Sequence, residues 1–200
     1  SRLETTGTKD PSVIINSEAF VDMASKDVYV DLADVVAEVA GATENANVTI
    51  NADWTVDLAT LANANGKSVA ISSNGKTITG TGSLPANVTV SSEVKAVSGE
   101  TTYFATFKNA ALKAREASGA STITLSSDVT VGENINISNK NGNAVVIDGA
   151  NKTITTSYKN ALAVVDAESV VTLQNVNLKH KAVQGTVAVL TTATLNLKNV

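Results

Sequence analysis

The phrase SSNGKTITG at residues 72–80 returns as DGANKTITT at 148–156, and its surroundings return with it. NVTINADWTVD (47–57) superposes without a gap on TITLSSDVTVG (122–132): Val48 falls on Ile123, Ile50 on Leu125, Asp53 on Asp128, Trp54 on Val129 and Val56 on Val131. One extra residue in the intervening loop then brings Ile71 onto Ile147, and Lys76, Thr77 and Ile78 onto Lys152, Thr153 and Ile154. Self-similarity of this extent confines the chain to folds that state one structural unit twice.

Each β-like block follows a stretch with helical spacing. Leu32, Val35, Val36, Val39 and Ala40 recur at three and four within 27–41, and Gly41 is the expected stop. Phe104, Phe107, Ala110, Ala111 and Ala114 recur likewise within 101–120, with Gly119 as the stop. These spacings predict amphipathic helices over 29–40 and 103–117.

A shorter step runs through the C-terminal part. SVVTLQNV (169–176) reappears twenty-four residues on as ATLNLKNV (193–200), with Val171 on Leu195, Leu173 on Leu197, Asn175 on Asn199 and Val176 on Val200. Ala163 and Val165 stand twenty-four before Val187 and Val189. Short alternating strands at such a period predict a solenoid whose coils stack like on like, with aliphatic ladders inside and asparagine ladders at turns. A leucine-rich repeat would need its own Leu and Asn spacing and a helix per unit, and an immunoglobulin-like sandwich does not repeat its strands at this step. Aromatic residues make up only 4% of a chain that is 43% apolar, so the core must be a regular stack of small aliphatic side chains. Trp54, matched by Val129, reads as core.

The fold class expected is therefore all-β: a right-handed parallel β-helix with short amphipathic capping helices. A coil end exposes unpaired backbone and an open core, and each helix stands where a cap belongs. The expected organisation is a tail over 1–26, a helix-plus-strand module over 27–98 and a helix-capped β-helix over 99–200. The sequence stops at LKNV without a polar cap, which suggests further coils and predicts end-to-end association.

The succession FKNAALKAREASGASTITLSSDVTV, INIS and VVIDGANKTIT resembles the pectate-lyase-like adhesive domains of bacterial and archaeal surface proteins. The resemblance covers about 103–200, and 30–90 as a degenerate copy. It implies an extracellular or cell-surface stalk, adhesin or surface-layer component, and fixes no activity; the function expected is structural and adhesive, without catalysis. Its partner would be a second copy of itself, as in a surface layer or fibre, or a glycan or protein of a surface.

Chemistry on this scaffold would need particular side chains. A lyase needs carboxylate-held calcium and an arginine-like base, yet the two arginines fall in the polar opening (Arg2) and on a capping helix (Arg115). A hydrolase needs grouped carboxylates, whereas only Asp166 and Glu168 among Asp128, Glu133, Asp148, Asp166 and Glu168 are neighbours, and they read as solvated turn charges. His180, the one histidine, reads as an exposed turn residue between Lys179 and Lys181. No phosphate loop occurs: the glycines and asparagines of the repeated phrase supply turns, with Lys76 and Lys152 outside. Catalytic, cofactor and metal residues are therefore expected to be none. Cysteine is absent, which excludes disulfides and thiolate sites, and with the acidic composition points outside the cytosol. A net charge of −4 with scattered cations gives no nucleic-acid surface, and no apolar run is long enough for a transmembrane segment. Sequons stand at Asn47, Asn87, Asn136 and Asn151. The paired Thr-x-Thr phrases are too far apart to form an ice-binding ladder.

Overall fold

The computed structural model describes residues 3–5, 16–181, 187–189 and 192–200, and the chain divides into two compact units, residues 1–91 and 92–200. Arg2 lies outside the described residues. The fold is a parallel β-helix, mostly strand with two short helices among the described residues.

In the first unit, β1 (Leu3–Thr5), β2 (Ala19–Met23) and β3 (Asp27–Val30) are antiparallel neighbours, followed by helix α1 (Leu32–Gly41). The coils then begin with β4 (Ala46–Ile50), which pairs antiparallel with β2 on one side. On its other side it pairs parallel with β6 (Val69–Ser72), and β6 pairs with β8 (Val88–Ser91). A second face stacks β5 (Trp54–Asp57) on β7 (Ile78–Thr81).

The second unit repeats this plan. β9 (Val94–Ser98) and β10 (Thr101–Ala105) form a hairpin, helix α2 (Phe107–Glu116) follows, and β11 (Ser121–Leu125) pairs antiparallel with β9. Beyond β11 three sheets of parallel strands carry the coils. One stacks β11 on β14 (Val145–Asp148), β17 (Val170–Gln174) and β20 (Thr194–Lys198). Another stacks β12 (Val129–Val131), β15 (Thr153–Thr156) and β18 (Asn177–His180). The third stacks β13 (Ile135–Asn136), β16 (Leu162–Val164) and β19 (Val187–Val189).

The core is the aliphatic stack the alternation predicts. Ile123, Ile147 and Leu173 form one internal ladder and Val145 and Val171 another, all fully buried, while Leu195 packs partly buried against them. Trp54 and Val129 are both buried at their matched stations. The asparagine ladders form too: Asn199 Nδ2 donates to Asn175 Oδ1 at 3.1 Å, and Asn74 Nδ2 to Asn51 Oδ1 at 3.3 Å. At the repeated phrase, Asn74 and Gly75 in one copy, and Ala150 and Asn151 in the other, all have positive φ. Each turn is closed by a short bond, from Lys76 N to Ser73 O at 2.8 Å and from Lys152 N to Gly149 O at 2.7 Å. The Asp148 carboxylate, accepting from Ala150 N at 2.9 Å, holds an alanine in this unfavourable region.

Gly149 itself serves for room and not for φ. A Cβ there would lie 2.4 Å from Val176 Cβ and 2.6 Å from the Asn175 carbonyl oxygen. Gly149→Ala is expected to destabilise the second unit by about 1–3 kcal/mol, measured by denaturant melts, because the clash is partly with backbone of the next coil.

Four expectations need correction. Both helices begin later than their spacing suggests, because Asp27–Val30 and Thr101–Ala105 are hairpin strands; Phe104 is buried from a strand and not from α2. Residues 19–23, read as tail, are a strand whose Ala19, Val21 and Met23 are buried, and Val94–Ser98, read with the first module, belongs to the second. The coil step is not constant: Ser121↔Val145, Val145↔Val171 and Val171↔Leu195 give steps of 24, 26 and 24 residues. Finally, Leu162 and Val164, not Ala163 and Val165, face Val187 and Val189 in register. The turn loops absorb the extra residues, and a one-residue slip exchanges the inner and outer faces.

Candidate functional site

The polar side chains that the fold draws together lie first at the helix ends. Leu32 N, opening α1, donates to Glu18 Oε2 at 2.9 Å, and Phe107 N, opening α2, donates to Glu93 Oε2 at 2.8 Å. A carboxylate thus meets the positive end of each helix from fourteen residues upstream. The closing ends are met by buried asparagines from the coils. Asn63 Nδ2 donates to Val39 O (2.6 Å) and Ala42 O (2.8 Å), and Asn139 Nδ2 to Ala114 O (2.7 Å) and Ala117 O (2.8 Å). Their Oδ1 atoms accept from the backbone of Asn65 and Lys67 in one copy, and of Asn141 and Asn143 in the other. Gly41 and Gly119, expected as stops, are therefore not left-handed caps; asparagines distant in sequence do that work.

A second cluster joins α2 to the coils. Arg115 grips Asp166 with both Nε–Oδ2 at 3.2 Å and Nη2–Oδ1 at 3.0 Å. Asn136 Nδ2 donates to the same Oδ2 at 2.9 Å. The hydroxyl of fully buried Ser138 lies 2.7 Å from Asp166 Oδ2 and 2.6 Å from Asn136 Oδ1, while accepting from the N–H groups of Val165 and Asp166. It has one proton, and the charged acceptor is the stronger claimant. Asp166, whose side chain is 14% exposed, is thus no solvated turn charge. Glu168 is exposed at φ 60°, apart from this network.

The chemistry follows from this saturation. Burial pushes the Asp166 carboxyl up, but the hydrogen bonds of Ser138, Arg115 and Asn136 and the Arg115 charge outweigh it and hold the group below its ordinary 3.8. Asp148 is likewise held below 3.8, by Ala150 N–H first and Gln174 next, against the effect of burial, with Asn175 adding to them. Asp166 accepts one bond at Oδ1 and three at Oδ2, and Asp148 two at Oδ1 and one at Oδ2, so the donors around each carboxyl favour its ionised form. Folded-state values below the unfolded ones mean stability that is present above 3.8 and lost as pH falls through the folded values. The gap in melting temperature between the native protein and Asp166→Asn is accordingly expected to be widest at neutral pH and to close on acidification below 3.8.

The remaining candidates are placed as follows. Lys108 pairs with Glu133 at 2.8 Å, and Lys108, the exposed Leu112, Arg115 and Ile135 are among the residues that line a groove beside α2. Asp128 Oδ1 accepts from Thr153 N at 2.8 Å, as Asp53 does from Thr77 N in the first unit. His180 is not an exposed turn residue: it ends β18, with Nδ1 2.6 Å from Thr156 Oγ1. Of the sequon asparagines, Asn87 donates its amide to Lys67 O and Asn136 to Asp166, while Asn47 and Asn151 are exposed. Among the described residues no three His, Asp or Glu side chains group to hold a metal, and no helix is long and apolar enough to cross a membrane.

Compared with protein families, curated proteins and solved structures, the chain matches none. The polar network that sequence reasoning missed, Glu18, Glu93, Asn63, Asn139, Asn136 and Ser138, left two signals. Asn-x-Asn-Gly occurs at 63–66 and again at 139–142, and Ser-Glu at 17–18 and again at 92–93.

Proposed function

We propose that this chain is a non-catalytic structural and adhesive β-helical module of an extracellular surface protein, of the kind found in pectate-lyase-like adhesive domains. The observation that carries this reading is the use made of the polar side chains. Asp166, Asp148, Glu18 and Glu93 each bind backbone or side chains that fix a coil or cap, and the Glu18 station of the first unit recurs at Glu93 in the second. Such modules lengthen a protein by repetition, and here Thr122, Val146, Thr172 and Asn196 follow one another coil by coil on an outer face.

A self-assembling surface-layer or fibre subunit is the second reading. It is favoured by Leu197 and Val200, 58% and 50% exposed, on or just after strand β20, which has β17 on one side and no partner on the other among the described residues. Electron microscopy across protein concentration, with and without calcium, separates the two: discrete short rods support the adhesive module, and ordered sheets or fibres support the lattice. A glycan-array screen then seeks the surface partner. Turnover of acidic polysaccharides by the purified protein would defeat both readings in favour of a polysaccharide-degrading enzyme fragment.

A further inference from the structure

Three Asn-Gly pairs occur, at 65–66, 74–75 and 141–142, and in an unfolded chain they are chemically equivalent. The fold makes them unequal. Deamidation needs the glycine nitrogen to attack Cγ of the preceding asparagine, so a bonded nitrogen and a pinned side chain both slow it. Gly66 N donates to Asn63 O at 3.3 Å and Gly142 N to Asn139 O at 3.2 Å. Asn65 Nδ2 donates to Ala42 O and Asn141 Nδ2 to Ala117 O, both at 3.1 Å, and the backbone nitrogens of both asparagines are tied to the buried Asn63 and Asn139. These two pairs are thus built into the helix caps. The Asp148–Gly149 pair is held as well, by Gly149 N to Gln174 O at 2.8 Å and by the bonds on the carboxylate.

Asn74–Gly75 is different. Both residues are exposed, Gly75 N has no hydrogen-bond partner among the described residues, and the Asn74 amide makes one 3.3 Å bond to the exposed Asn51. We propose that Asn74 is a site of spontaneous covalent modification in the folded protein, converting to isoaspartate and aspartate. Gly75 N bonds to Asn74 Cγ as the Cγ–Nδ2 bond breaks and ammonia leaves. Water then adds to the succinimide and opens it at either carbonyl, with no oxidant or enzyme required. The product carries one new negative charge. In its isoaspartyl form it also inserts a backbone carbon into the turn closed by Lys76 N and Ser73 O, between β6 and β7.

The test is peptide mapping with isoaspartate-specific fragmentation after incubation at mildly alkaline pH and 37 °C, once in native buffer, with circular dichroism confirming the fold, and once in concentrated urea. In urea the three sites should convert at similar rates. In native buffer Asn74 should convert about tenfold or more faster than Asn65 and Asn141, whose restraining bonds must open first. Asn74→Gly, which keeps the left-handed turn, should abolish the native-buffer ammonia loss. Conversion at Asn65 or Asn141 that equals or exceeds that at Asn74 in the folded protein would overturn the proposal, as would suppression of Asn74 to their level.

Discussion

Asn139→Ala is expected to destabilise the second unit by about 3–4 kcal/mol, among the larger costs for removing one polar side chain. The residue is fully buried and its amide makes four bonds to backbone, two donated to Ala114 O and Ala117 O and two accepted from the N–H groups of Asn141 and Asn143. Alanine removes all four at once. Ala117 O keeps the Asn141 amide, but Ala114 O loses the Asn139 donor and two part-buried N–H groups lose their acceptor, and polar groups left without partners are the expensive outcome. Asn141→Ala, an exposed member of the same cluster, should cost less than about 1 kcal/mol. Denaturant unfolding of both variants checks the contrast, and Asn63→Ala should reproduce the large effect in the first unit. Equal stability of Asn139→Ala and Asn141→Ala would show that the helix end is not held this way.

The other large effect lies in the coils. Val171→Asp and Leu173→Asp should each abolish cooperative folding of the C-terminal coils, since both side chains are fully buried in the aliphatic core between the coils of β14 and β20. The cost of placing a charge there is about 4 kcal/mol or more, a large share of a typical domain's stability. Thr172→Asp, pointing outward between Val146 and Asn196, should stay within about 1 kcal/mol of the native protein. Hydrogen exchange over residues 145–198 reads the result. Comparable losses in all three variants would mean that the inner and outer faces of β17 are wrongly assigned.

The coils were legible because parallel stacking translates directly into sequence: Ile123, Ile147, Leu173 and Leu197 are one ladder written at intervals, and the duplicated phrase marks the same turn twice. The hairpins were less legible. Val94 and Ala96 do alternate with Lys95, and Gly99 with Glu100 does make a two-residue turn at φ 57°, but the aromatic residues that follow fit a helical spacing equally well. The helix caps were least legible, since the partner of each opening end lies fourteen residues away and that of each closing end more than twenty, and only the twice-written Ser-Glu and Asn-x-Asn-Gly phrases mark them. Asp166 was misjudged for the same reason. Its neighbour in sequence, Glu168, is exposed, and its partners come from α2, from β13 and from the residues just after β13.

Asparagines fasten each helix to its coils in both copies, and nuclear magnetic resonance measures this directly. Side-chain amide protons of Asn63 and Asn139 should exchange with solvent only through opening of their own unit, far more slowly than those of the exposed Asn47 and Asn151. Exchange of the Asn63 and Asn139 amides at the rate of those exposed asparagines would contradict the capped-module architecture.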